Sequence, residues 1–263
     1  MRSIFKKVWI ALVSLPLAMW GLSTFSALAA GKSPETAVNG TAAQAASSAE
    51  ATPTGTATLS GKVILNGSAP PKQKIQMAAD PVCMQQHPEA VFSQEVVVNN
   101  GMLQYVLIYV KEGVQGSYPA PTQPVVLDQK GCTYEPHVFG IQVGQPLQIL
   151  NSDPTLHNIN CQPKANKKFN IAQPTKGMKT NKTFDKPELG VSFKCNVHPW
   201  MFAYGGIFSH PFFAVTDSNG AFSISGLPAG TYTVEAWHEK LGTKTQTIAV
   251  ADGETKELPF SLP

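Results

Sequence analysis

Phe213-Ala-Val-Thr-Asp-Ser-Asn-Gly-Ala-Phe-Ser-Ile-Ser-Gly-Leu-Pro-Ala-Gly-Thr-Tyr-Thr-Val-Glu-Ala-Trp237 alternates short apolar runs with tight turns. Asp217-Ser-Asn-Gly220 supplies one turn and Gly226-Leu-Pro-Ala-Gly230 the next, because Gly, Asn and Asp take up the backbone angles that turns require. The same texture extends upstream. Leu59-Ser-Gly-Lys-Val-Ile-Leu65 ends on the turn pair Asn66-Gly67, and Gln94–Val98 runs through Asn99-Asn-Gly101 into Leu103–Val110, which predicts a hairpin. Pro124–Leu127, Val138–Val143, Pro146–Leu150 and Val191–Lys194 continue the series. Outside the first thirty residues no long window carries a helical period. The expected class is all-β, a sandwich or barrel.

Composition agrees with that class. Of 263 residues, 43% are apolar and 14% charged, with 21 Gly and 21 Pro. A net charge of +3, with no basic run interleaved with aromatics, argues against a nucleic-acid partner. Residues 1–30 read as a signal peptide: a basic start, Met1–Lys7, an apolar stretch from Val8, and a closing Ala27-Leu-Ala-Ala30. Uncleaved, the same stretch is long enough to anchor the chain in a membrane, although Ser14, Pro16, Gly21, Ser23, Thr24 and Ser26 dilute it. Cleavage leaves no stable membrane insertion. Residues 31–57, rich in Ala, Thr, Ser and Gly, read as a flexible linker. Export would place the protein in the periplasm or outside the cell, where cysteines oxidise.

The chemistry concentrates in Lys194-Cys-Asn-Val-His-Pro-Trp-Met201. A thiolate, an imidazole and a thioether fall three residues apart, a donor set that suits copper if a second imidazole joins it. His157, where the chain resumes as strand after Asn151-Ser-Asp-Pro-Thr-Leu156, is the candidate for that imidazole. Pro199 stiffens the loop by fixing its own φ and restricting His198. Cys83, Cys132, Cys161 and Cys195 allow three pairings if all are bridged. A Cys161–Cys195 bridge would remove the thiolate. A Cys83–Cys132 bridge would spare it and leave Cys161, on the same strand face as His157, as a buried thiol or a second functional sulfur.

Two resemblances sharpen these expectations. Tyr134-x-Pro136, Asn151-x-Asp153, His157-Asn158 and the C-x-x-H-P-aromatic-M loop at 195–201 resemble the cupredoxins, amicyanin most and plastocyanin less, over roughly 94–208. That resemblance implies one type 1 (blue) copper site cycling between Cu(I) and Cu(II). His157, Cys195 and His198 would be equatorial ligands and Met201 the axial one, with Asn158 and Pro199 shaping the site and the His198 edge serving as electron port. Thr216-Asp-Ser-Asn-Gly-Ala-Phe222 and Gly226-Leu-Pro-Ala-Gly-Thr-Tyr-Thr-Val234 resemble the carboxypeptidase regulatory-like, or transthyretin-like, β-sandwich. This tail lacks the family's opening strand, which Gly61–Pro71 resembles. The implied architecture is a Greek-key cupredoxin-like β-sandwich over 79–209 and a smaller transthyretin-like sandwich over 210–263. A β segment at 58–78 completes the latter if the copper domain is inserted into it.

These features predict an electron carrier, not an enzyme, working with a redox protein partner. Lys164, Lys167, Lys168, Lys176, Lys179, Lys182 and Lys186 lie between the ligand segments; as a rim beside Trp200 and Phe202 they would steer an acidic partner, and otherwise they form a solvated loop. Competing readings are copper storage or delivery, with Cu(I) on Cys195, Met201 and Cys161, and an adhesion protein with a vestigial site. His87, His137, His210 and His238 are weaker metal candidates.

Overall fold

A computed structural model describes residues 54–263; the signal-peptide reading of 1–30 and most of the 31–57 linker lie outside them. The regular structure of the described residues is strand apart from one short helix, Pro81–Gln86. That helix starts where Asp80 accepts hydrogen bonds from the amides of Val82 and Cys83 and Pro81 occupies the first helical position. Among the described residues no helix is long and apolar enough to cross a membrane.

Two β-sandwiches share the chain. In the first, a sheet ordered Phe169–Gln173, His157–Gln162, Glu188–Lys194, Phe202–Phe208, Val138–Gln142 faces a sheet ordered Lys179–Lys182, Leu147–Asn151, Val125–Lys130, Thr133–Glu135. Alternation along these strands turns Leu127 and Ile149 inward against Ile159, Phe193 and Ile207, all essentially inaccessible to solvent.

The second sandwich packs a sheet ordered Phe213–Val215, Leu107–Glu112, Gly230–His238, Gly242–Val250 against one centred on Ala57–Leu65. Ala57–Leu65 pairs antiparallel with Ala221–Leu227 and parallel with Thr255–Glu257 and Phe260–Leu262. The opening segment therefore completes the sheet of the tail, and the first sandwich lies between the two in sequence.

The structure corrects the boundary expected at 79. Leu107–Glu112 pairs with Phe213–Val215 and Gly230–His238, and Ile108 and Val110 enter the core of the tail sandwich. The hairpin turn forms as read, with Asn100 and Gly101 both at positive φ. Only two residues per strand pair there, because Tyr105, also at positive φ, redirects the chain and the next strand joins the other sheet. All four residues Leu107–Val110 are buried, since Ile108 and Val110 face the tail core while Leu107 and Tyr109 pack with Val138 and Phe208 of the first sandwich.

The opening strand also locates the stability of the tail. Leu59, fully buried on that strand, packs in the core with Phe222, Ile224 and Leu258. Leu59→Ala is expected to cost about 2–5 kcal/mol, read as a lowered denaturant midpoint at unchanged slope.

Candidate metal centre

His157 begins the strand His157–Gln162, and Cys195 follows the last residue of its neighbour, Glu188–Lys194. Asn160 pairs with Lys194, so the antiparallel register brings the two strand ends together. The loop from Cys195 to Met201 closes through its own backbone: Cys195 N–H donates to Met201 O (3.1 Å) and Met201 N–H to His198 O (2.9 Å). The amide of His198 donates to Cys195 Sγ at 3.3 Å. Asn158 ties the two segments, its Oδ1 accepting the Asn196 amide at 3.2 Å. Pro199 stands exposed between His198 and Trp200.

Three donor atoms converge. His157 Nδ1 lies 3.0 Å from His198 Nδ1, and His198 Nδ1 lies 3.7 Å from Cys195 Sγ. All donor atoms of this trio fall within 4.8 Å of one another. His157, Cys195, His198 and Met201 are 0%, 3%, 2% and 1% exposed, so solvent is excluded from every expected ligand. Met201 packs into the adjoining core.

The outer imidazole nitrogens are also held. His157 Nε2 meets Asp153 Oδ2 at 2.9 Å and His198 Nε2 meets Asp80 Oδ2 at 3.0 Å. An ionised carboxylate only accepts, so both Nε2 atoms carry a proton, and in the neutral rings both Nδ1 atoms then bear lone pairs. Two such lone pairs 3.0 Å apart beside a thiol sulfur repel unless a proton or a metal ion lies among them. The donor set therefore fits a soft or borderline metal ion bound by one sulfur and two nitrogens.

The electrostatics agree. Burial works against the Cys195 thiolate, but hydrogen bonds from His157, His198 and the amides of His198 and Val197 outweigh it and bring the thiol down to about 6. Burial also disfavours charge on both imidazoles, yet Asp153 and Cys195 raise His157, and Cys195 and Asp80 raise His198. Asp80, despite partial desolvation, drops to about 2 through His198, Thr155 and the helix amides.

Cys83 and Cys132 form a disulfide, and Cys161 and Cys195 are free. No Cys161–Cys195 bridge exists. Cys161 stands opposite Phe169 and Phe193 in the core and belongs to no cluster of ligand atoms found among the described residues. Burial pushes its thiol up, so it reads as a core thiol and the second-sulfur reading is set aside. His87, His137 and His210 are committed to Gly131 O, Phe202 O with Glu239, and Val110 O, while His238 Nδ1 accepts the amides of Lys240 and Leu241.

Two expectations fail. The His198 edge does not open to solvent as expected, because Asp80 and Cys83, whose Sγ lies 3.7 Å from His198 Nε2, cover it. Trp200, half-buried, packs its ring 5.1 Å from that of His198 and donates to Cys132 O at 3.0 Å. Phe202, also half-buried, begins the strand that leads away. The seven lysines do not rim the site either. Lys164, Lys167, Lys168 and Lys186 gather where Asn166 and Glu188 bind the loop backbone, seven residues and about 20 Å of strand from Cys195. Lys182 lies over the Phe169 ring, beside Cys161; Lys176 and Lys179 alone flank the Asn151 turn. Strand pairing inside 164–186 carries the charges apart.

Asp80 and Asp153 escaped the sequence reading as site residues. Asp80 announces itself only as a helix cap, 118 residues from its imidazole. Asp153, four residues before His157, had a local signal.

Residues 209–263 match the family model described as the carboxypeptidase regulatory-like domain. The tail is similar to such a domain. No curated protein matches the sequence. Solved structures similar to part of the chain include a copper(I) form of an amicyanin variant, 19% identical over 32% of this chain and 81% of that one, with a TM-score of 0.29. A purple cupredoxin from Nitrosopumilus maritimus is 20% identical over 32% of this chain and 97% of that one, with a TM-score of 0.27. A copper-containing nitrite reductase from Thermus scotoductus is 22% identical over 38% and 25%, with a TM-score of 0.29. Likenesses of that size leave the nature of the site to its own geometry.

The two free cysteines differ in a testable way. Both thiols are buried, so in metal-free protein iodoacetamide is expected to reach them only during local opening, modifying the Cys195 thiolate faster than the protonated Cys161, and a bound metal ion should protect Cys195. Peptide mapping reads the outcome, and equal labelling of Cys161 would contradict the assignment.

Proposed function

We propose that this chain is an exported type 1 copper protein that carries electrons to and from a redox protein partner. The observation that supports the reading best is the convergence of one thiol sulfur and two imidazole nitrogens in a dry site, with Met201 buried in the same loop as the residue that would supply a further, weaker sulfur. Copper bound by such donors supplies one-electron redox chemistry at neutral pH. The chain's own part is to hold the donors. Three backbone and sulfur hydrogen bonds preset the Cys195–Met201 loop, Asn158 locks it to the His157 strand, and the surrounding core excludes water. Rigid, buried ligands favour a carrier over a catalyst, because a substrate would have to reach the ion. They also speak against storage or delivery, which needs metal to exchange.

The buried Cys83–Cys132 disulfide supports export to an oxidising compartment. With the lysines dispersed, the partner is recognised by something other than a single basic rim.

Adding Cu(II) to the purified protein is expected to produce an intense visible thiolate-to-copper band, absent in Cys195→Ser. A colourless wild type, or an unchanged band in the variant, would refute the ligand set.

A further inference from the structure

Resting on the copper reading, we propose that Asp80 and Asp153 are positioning residues that set the tautomer of the two ligand imidazoles, and that the Cys83–Cys132 disulfide is the frame holding both carboxylates in place. Each carboxylate does two things at once. Asp80 accepts the amides of Val82 (2.7 Å) and Cys83 (3.3 Å) on Oδ1 and turns Oδ2 to His198 Nε2 (3.0 Å) and the Thr155 hydroxyl (3.0 Å). Asp153 accepts the amides of Gly131 (2.9 Å) on Oδ1 and Cys132 (2.8 Å) on Oδ2, and the same Oδ2 takes His157 Nε2 (2.9 Å).

The arrangement repeats on the two sides of the disulfide. A half-cystine donates its amide to a carboxylate, and that carboxylate takes the outer proton of a ligand imidazole. The bond between Cys83 and Cys132 joins the repeats across 49 residues of chain. Both half-cystines are fully buried, so the bridge is a fixed brace. Without it, the short helix carrying Asp80 would have little to hold it over His198, since Cys83 is its one buried residue. A proton kept on Nε2 leaves Nδ1 free for the metal; a proton moved to Nδ1 blocks the site.

Asp80→Asn separates this role from folding. Asparagine caps a helix as well as aspartate does, so its oxygen stays on the Val82 and Cys83 amides. The amide NH2 then occupies the Oδ2 position and donates to His198 Nε2, which must surrender its proton to Nδ1. Metal-free Asp80→Asn is expected to melt close to wild type, to show His198 protonated at Nδ1 by 15N NMR, and to lose roughly 10–100-fold in copper affinity by chelator competition. The Cys83→Ser/Cys132→Ser double variant is expected to show mixed tautomers at both histidines and a comparable loss.

Wild-type affinity in either variant, or an affinity loss with both Nε2 protons retained, would overturn the proposal. If wild type binds no copper while the tautomer of His198 still switches in Asp80→Asn, the carrier reading fails and the positioning role stands.

Discussion

Two imidazole nitrogens 3.0 Å apart, with a thiol sulfur alongside and both outer nitrogens held by carboxylates, rest together only with a proton or a metal ion among them. Much of the first sandwich serves to impose that crowding. The register of His157–Gln162 against Glu188–Lys194 brings the strand ends together, and the closed Cys195–Met201 loop turns His198 back onto its own cysteine. The carboxylates fix the protons on the far side of both rings. Binding a cation relieves the repulsion, and burial of the donors keeps water from relieving it instead.

The same cover changes how such a site meets the outside. A ligand edge exposed at the surface would be the natural contact for a partner. Here the Asp80 helix and the disulfide lie over that edge, and the half-buried ring of Trp200 is packed against His198 from another side. The tail sandwich is joined to this region through its own residues. Glu239 hydrogen-bonds His137, whose Nδ1 lies 3.2 Å from the carbonyl of Phe202, the residue after Met201. Leu107 and Tyr109, on a strand of the tail sandwich, pack on Val138 and Phe208 of the other. The tail sandwich thus buttresses the strand that leaves the Cys195–Met201 loop.

Much of this was legible in the chain because the relevant signals are local. The Cys195–Met201 loop holds three donors at fixed spacing, and the Asn99–Gly101 turn forms at the two positive-φ positions its residues favour. The opening strand at Ala57–Leu65 was readable from its likeness to the strand the tail lacks. What was not legible depends on distant pairing. The left-handed turn at Tyr105 sends Leu107–Glu112 into the tail sandwich, which no periodicity announces. A run of lysines close in sequence is dispersed because Phe169–Gln173 and Lys179–Lys182 join different sheets. Asp80 reaches its imidazole only because the disulfide and the helix cap place it there.

X-ray absorption at the copper edge of the loaded protein tests the central claim most directly. The account predicts one short copper–sulfur contact and two imidazole nitrogens in the first shell, with a further sulfur at longer range. A first shell of oxygen and nitrogen alone, or one containing two short sulfurs, would contradict it.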